Sequence, residues 1–121
     1  MRDTAEALYS FFRAFGWDVY PEDGVPNGAA LPYITVRFVQ PAWYSSDPFY
    51  IRIWDRAATP DSVYDMADAI RREIDAGACV PLPNGVLWIY LDDNGTQKMP
   101  FAGDPTYQCA YMNLTMQAIT A

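Results

Sequence analysis

Apolar side chains recur at helical spacing between Thr59 and Gly77. Val63, Met66, Ala67, Ile70 and Ile74 share one face, while Asp61, Asp65, Asp68, Arg72, Glu73 and Asp75 fall mostly elsewhere on the wheel. Thr59 has the hydroxyl of an N-cap, Pro60 suits a first helical position, and Gly77 suits a left-handed C′ residue. Asp61 and Asp65 lie toward the start of this helix and Arg71 and Arg72 toward its end, as its dipole favours. A second helix is predicted from Met1 to Phe15. Ala5, Leu8, Tyr9, Phe12 and Phe15 lie on one face, Phe11 borders it, Asp3 or Thr4 can cap the start, and Gly16 ends it.

Elsewhere the period is two. A short strand is predicted at Trp17–Tyr20, then a turn-rich loop from Pro21 to Pro32. Tyr33–Val39 sets Ile34, Val36 and Phe38 against Tyr33, Thr35, Arg37 and Val39. After a loop from Gln40 to Pro48, Phe49–Trp54 sets Phe49, Ile51 and Ile53 against Tyr50, Arg52 and Trp54. Ala78–Pro83 reads as an irregular or edge segment, because Pro81 and Pro83 cannot both sit in a paired strand. Val86–Leu91 alternates, and Asp92-Asp93-Asn94-Gly95 has the chemistry of a tight hairpin turn leading into Gln97–Phe101. Gly103-Asp104-Pro105 turns the chain again. The last strand, Thr106–Thr120, puts Gln108, Ala110, Met112, Leu114 and Met116 opposite Tyr107, Cys109, Tyr111, Asn113 and Thr115.

These elements predict a single α+β domain over residues 1–121. Its sheet is mixed, mainly antiparallel, of about four to five strands, with two helices on one face. The other face is rich in Tyr, Trp and Arg. Composition sharpens this: 16% of the chain is aromatic and the net charge is −7. That charge argues against a general nucleic-acid binder. Two cysteines, Cys79 and Cys109, are too few for a disulfide scaffold and read as reduced, buried thiols of a protein made in the cytosol. No run approaches a membrane span and no apolar leader stands at the N-terminus.

The chemistry is defined by what is missing. With no histidine, serine–histidine and cysteine–histidine catalysis and most zinc sites are excluded. There is no P-loop and no glycine-rich dinucleotide motif. The acids at Asp92 and Asp93 lack the ligand spacing of a calcium loop. Asp55 with Arg56, and Arg71 with Glu73, read as solvated charges at element ends. Neither catalysis nor a metal or cofactor is expected.

Three stretches support a family resemblance: Leu31-Pro32-Tyr33-Ile34-Thr35 entering one strand, Ile51-Arg52-Ile53-Trp54-Asp55 before the central helix, and Asp104-Pro105-Thr106-Tyr107-Gln108 entering the last strand. In order and character the chain resembles the tail terminator family of long-tailed bacteriophages, also called minor tail or minor capsid proteins in prophages. The resemblance implies a structural subunit of a homo-oligomeric ring, a hexamer in that family. Such a ring stops growth of the tail tube and joins it to the head connector. It would assemble in the host cytoplasm and reside in the virion tail. Its partners would be the tube protein and connector proteins, with DNA passing through the bore without specific binding. A neighbouring head–tail joining or tail-completion protein, or a small ligand-binding domain, are the alternatives. Trp43, Tyr44, Tyr50 and Trp54 are the expected interface residues, since exposed aromatic rings serve as binding anchors. Glu22, Asp23, Asp92 and Asp93 are expected to line an acidic bore that repels phosphates.

Overall fold

The computed structural model describes residues 2–37, 46–99 and 106–120. Helix α1 spans Arg2–Arg13 and helix α2 spans Asp61–Asp75. The strands are β1 (Asp18–Pro21), β2 (Tyr33–Arg37), β3 (Ser46–Arg56), β4 (Ala78–Leu82), β5 (Gly85–Met99) and β6 (Tyr107–Thr120). They form one six-stranded sheet in the order β1-β2-β3-β6-β5-β4. Only β1 and β2 run parallel; every other neighbouring pair is antiparallel. The α+β class, the mixed sheet and the pair of helices agree with the sequence reading. The strand number rises to six because Asp18–Pro21 and Ala78–Leu82 both pair, each at an edge, where prolines such as Pro21 and Pro81 are tolerated.

The core lies between one sheet face and the helices. Ile34, Val36, Phe49, Ile51, Ile53, Leu87, Ile89, Met112, Leu114 and Met116 are all buried there. Helix α2 covers them with the five apolar residues its periodicity singles out: Val63, Met66, Ala67, Ile70 and Ile74. Each large side chain so buried contributes about 1.5–3 kcal/mol. Helix α1 packs through Thr4, Ala7, Leu8 and Phe12, and it touches both β1 and β4, the two edges of the sheet. Gly16 and Gly77 adopt positive φ just past the two helices, the conformation their sequence positions call for.

Four local expectations are corrected. Pro60, not Thr59, occupies the N-cap of α2, and no side chain caps it. The Pro60 carbonyl already accepts from the Tyr64 amide, which places the proline just outside the first helical residue. Asp3 and Thr4 do not cap α1, because the helix begins at Arg2 and Thr4 is buried within its packed face. Asp55 is not simply solvated: it accepts from the Ser62 hydroxyl at 2.6 Å and from the Arg56 amide at 2.8 Å, tying the end of β3 to the start of α2. Arg71 and Glu73, by contrast, are exposed as expected, with the Asp75 carboxylate 3.9 Å from Arg71 along the helix.

The fourth correction is topological. Asp92-Asp93-Asn94-Gly95 does not reverse the chain. Leu91 pairs with Leu114 and Thr96 with Met112, so the segments on both sides of the acidic stretch pair with the same strand in the same direction. The four intervening residues stand opposite Asn113 alone, as an enlarged bulge inside one long strand. The turn residues satisfy the local chemistry of a bulge as well as that of a hairpin, and the long partner strand β6 decides between them. Of the two thiols, Cys109 is buried and Cys79 is exposed, and they are not bridged.

Candidate functional site

The face of the sheet away from the helices carries the chemistry. Period-two alternation puts Tyr33, Thr35 and Arg37 of β2 there, beside Tyr50, Arg52, Trp54 and Arg56 of β3. Tyr107, Cys109 and Tyr111 of β6 continue the face, and Trp88 and Tyr90 of β5 reach its far side. Its side chains form two connected clusters and an apolar patch.

The first cluster is built on Glu22, the residue after β1, whose amide donates to the Val36 carbonyl and so prolongs the β1–β2 pairing. Its Oε1 lies 2.7 Å from Arg52 Nη1 and its Oε2 lies 3.6 Å from Arg37 Nη1. Oε2 also accepts from the Tyr50 hydroxyl at 2.6 Å. Arg52 stands over the rings of Tyr50 and Tyr111, 5.3 Å and 5.9 Å from their centres, and those rings stack at 4.9 Å. Such a cation–aromatic sandwich with a bonded carboxylate holds the guanidinium in one orientation. Oε1 meets Arg52 as an ion pair without an aligned hydrogen bond, and Arg52 Nε has no acceptor among the described residues. Burial raises the Tyr50 phenol above its usual range, and the carboxylate that accepts its proton adds to the effect.

The second cluster centres on Trp54, whose indole N–H donates to the Thr35 hydroxyl at 3.2 Å and whose ring meets Tyr107 edge-on at 5.3 Å. The hydroxyls of Tyr107 and Tyr33 are 3.3 Å apart, and Tyr33 meets Tyr20 edge-on at 5.6 Å. Arg56 stands 5.3 Å from the centre of the Tyr107 ring and donates to the Thr106 hydroxyl at 3.1 Å. Burial, helped by the bond to Tyr107, pushes the Tyr33 phenol up to about 12. Burial likewise pushes the Cys109 thiol, beneath these rings, up to about 11, against the pull of Arg52. A thiol so placed is a poor nucleophile.

The patch lies toward β4. Trp88 stacks on Tyr90 at 4.6 Å and is 40% exposed, and Val86 beside it is 37% exposed. Exposed Cys79 is the register partner of Trp88, and Pro81 that of Val86. The Tyr90 hydroxyl donates to the Ser46 hydroxyl at 3.1 Å, crossing β6.

The structure thus places the expected interface residues Tyr50 and Trp54 on one face of one strand, each at the heart of a separate cluster. Trp43 and Tyr44 lie outside the described residues. Of the expected bore residues, Glu22 is not a free loop-tip acid: it is occupied by Arg52, Arg37 and Tyr50, while Asp23 beside it is exposed. Asp92 and Asp93 fall in the bulge of β5. They share a cross-strand row with Glu22, through Arg37, Tyr50 and Asn113, and lie four strand spacings or roughly 19 Å from it. Sequence reasoning missed the tie between Glu22 and the two arginines. The tie depends on the parallel pairing of β1 with β2, which sets Glu22 level with Arg37.

A cavity of about 330 Å³ opens behind this acid, lined by Tyr9, Pro21, Glu22, Asp23, Val36 and Arg37. Its principal carboxylate is already committed to the sheet face. No group of three metal-ligating side chains stands together among the described residues. No described helix is long and apolar enough to cross a membrane. The fold and face define an α+β domain whose two helices lie on one side of the sheet, while the aromatic face lies on the other. No family model and no characterised protein matches the chain by sequence.

Proposed function

We propose that this chain is a structural subunit of a bacteriophage or prophage tail, forming a ring that ends the tail tube and joins it to the head connector. It acts by assembly and not by catalysis. The observation behind this reading is the aromatic sheet face on the side away from both helices. It carries eight aromatic rings, Tyr20, Tyr33, Tyr50, Trp54, Trp88, Tyr90, Tyr107 and Tyr111, and its polar groups are largely bonded to one another. Aromatic residues and arginine are the side chains enriched where subunits meet. The chain-order resemblance to tail terminators supplies the identity of the ring, and the net charge of −7 suits a bore through which DNA slides.

Size-exclusion chromatography with light scattering, followed by negative-stain microscopy, tests the proposal. The expected outcome is a closed ring with a central hole, formed alone or on the end of a tail tube. Capture by connector proteins but not by the tube would move the chain to the neighbouring head–tail joining class. A monomer at every concentration that binds neither would refute both.

A further inference from the structure

Independently of the ring reading, the edges of the sheet point to a second device: we infer that Pro81, with Pro83 behind it, guards edge strand β4 and keeps a second copy of the chain from adding a strand beside the apolar β5. What needs guarding is visible in the sequence. Residues 86–91 read Val-Leu-Trp-Ile-Tyr-Leu, six β-branched, aromatic and leucine side chains with no charge and no proline. Segments of that composition stack into intermolecular sheets when an edge admits them. They lie in β5, whose inner neighbour is β6 and whose outer neighbour is the five-residue edge strand β4. Within this segment Val86 is 37% and Trp88 40% exposed, and their register partners on the edge are Pro81 and Cys79.

The backbone explains how the guard works. Hydrogen-bonding direction alternates along a strand, so residues two apart turn their N–H and C=O groups to the same side. A proline paired in an edge strand turns its nitrogen outward, since it has no N–H to give its inner neighbour. Pro81 is such a residue, paired with Val86. Cys79 shares its outward set, and Pro83 follows two residues on, in the turn to β5. Of the three, only Cys79 has an N–H to offer. An added strand needs a donor at every second residue, and here it meets one. The opposite edge is built alike. The Glu22 amide donates to the Val36 carbonyl, so Tyr20 and Glu22 turn inward and Val19 and Pro21 turn outward. Pro21 brings no N–H, and its carbonyl already accepts from the Gly24 amide at 3.0 Å. Edges blunted in this way leave the faces of the sheet for association.

The test compares full-length Pro81→Thr and Pro81→Lys with wild type. Position 81 is exposed, and both variants restore the outward N–H and lose the proline ring, so they alter the folded chain alike. Threonine suits a paired strand, whereas lysine on an edge opposes pairing. Circular dichroism and urea midpoints check folding. Thioflavin T fluorescence and the soluble fraction are then followed during agitation below the melting temperature. At matching midpoints, Pro81→Thr should shorten the thioflavin T lag and lose soluble protein, while Pro81→Lys should keep the wild-type lag. Pro81→Ala restores the same N–H; it takes the place of the threonine variant should that one fail to fold, and should shorten the lag in the same direction. A wild-type lag in every folded variant would overturn the guard role. Equal acceleration in the threonine and lysine variants would also overturn it, tracing the change to the folded chain and not to the edge. Failure of all three to fold would make Pro81 a requirement of the fold and overturn the guard role as well.

Discussion

Replacing Glu22 with glutamine perturbs the most connected polar group of the sheet face. The carboxylate is 19% exposed and its main partner Arg52 is 29% exposed, so solvent screens the pair only in part. The substitution removes the ion pair at 2.7 Å and turns one charged acceptor of the Tyr50 hydroxyl into a neutral group. Hydrogen bonds to charged groups contribute about 1.5–3 kcal/mol each, and a fully buried pair loses 3–5 kcal/mol when one partner goes. Retained shape and partial exposure reduce this, so the expected loss is about 2–3 kcal/mol. For a domain of this size that lowers the melting temperature by roughly 6–15 °C. Urea denaturation followed by tryptophan fluorescence measures it, with the slope unchanged and the midpoint shifted. Asp23→Asn, the exposed neighbour, is the control and should stay within about 0.5 kcal/mol of wild type. A Glu22→Gln midpoint as close to wild type as the control would show that the cluster contributes no more than a surface ion pair.

Ile70→Ala removes a fully buried side chain between α2 and the sheet and should cost about 2–5 kcal/mol in the same assay; an unchanged midpoint would refute the helix placement. Gly77→Ala has open space for its methyl group but a φ of +103°, so the backbone alone should cost about 1–2 kcal/mol, visible as a lower melting temperature. With a thiol-specific reagent, Cys79 should react quickly and Cys109 only after denaturation. The folded pKa of Cys109 lies at about 11 against an ordinary 9.0, so its contribution is complete below pH 9 and is lost as the pH climbs through 11. Tyr33 follows from pH 10 to about 12, and Cys109→Ala should flatten the first part of this alkaline decline in urea midpoints.

Periodicity alone located the buried row of α2 and the inward residues of β6, because each lies against an apolar surface along its whole length. It could not resolve the acidic stretch of β5. Asp-Asp-Asn-Gly favours a tight reversal in isolation, and only the 14-residue partner β6 forces the chain to continue through it. The N-cap of α2 moved by one residue for a similarly local reason, the Tyr64 amide meeting the Pro60 carbonyl. The aromatic and basic character of the face away from the helices was legible from alternation in β2 and β3. Its organisation was not, since the parallel pairing of β1 with β2 that brings Glu22 to Arg37 leaves no local signature in a turn-rich loop.

The position of β6 governs when this protein can begin to exist as a fold. The last strand in the sequence lies in the interior of the sheet, between β3 and β5. Until it is synthesised, β1-β2-β3 and β4-β5 are two separate ribbons, and each exposes an apolar face and an unpaired edge. Helix α1 gains its full seat no earlier, because it rests on β1 and on β4 at opposite ends of the finished sheet. Contacts between residues so far apart in sequence make folding slow and leave incomplete chains prone to aggregate. Loss of Tyr107–Thr120 would therefore divide the sheet in two instead of trimming it. Quality control follows from the topology: only a chain elongated through its final strand can present the sheet face at all.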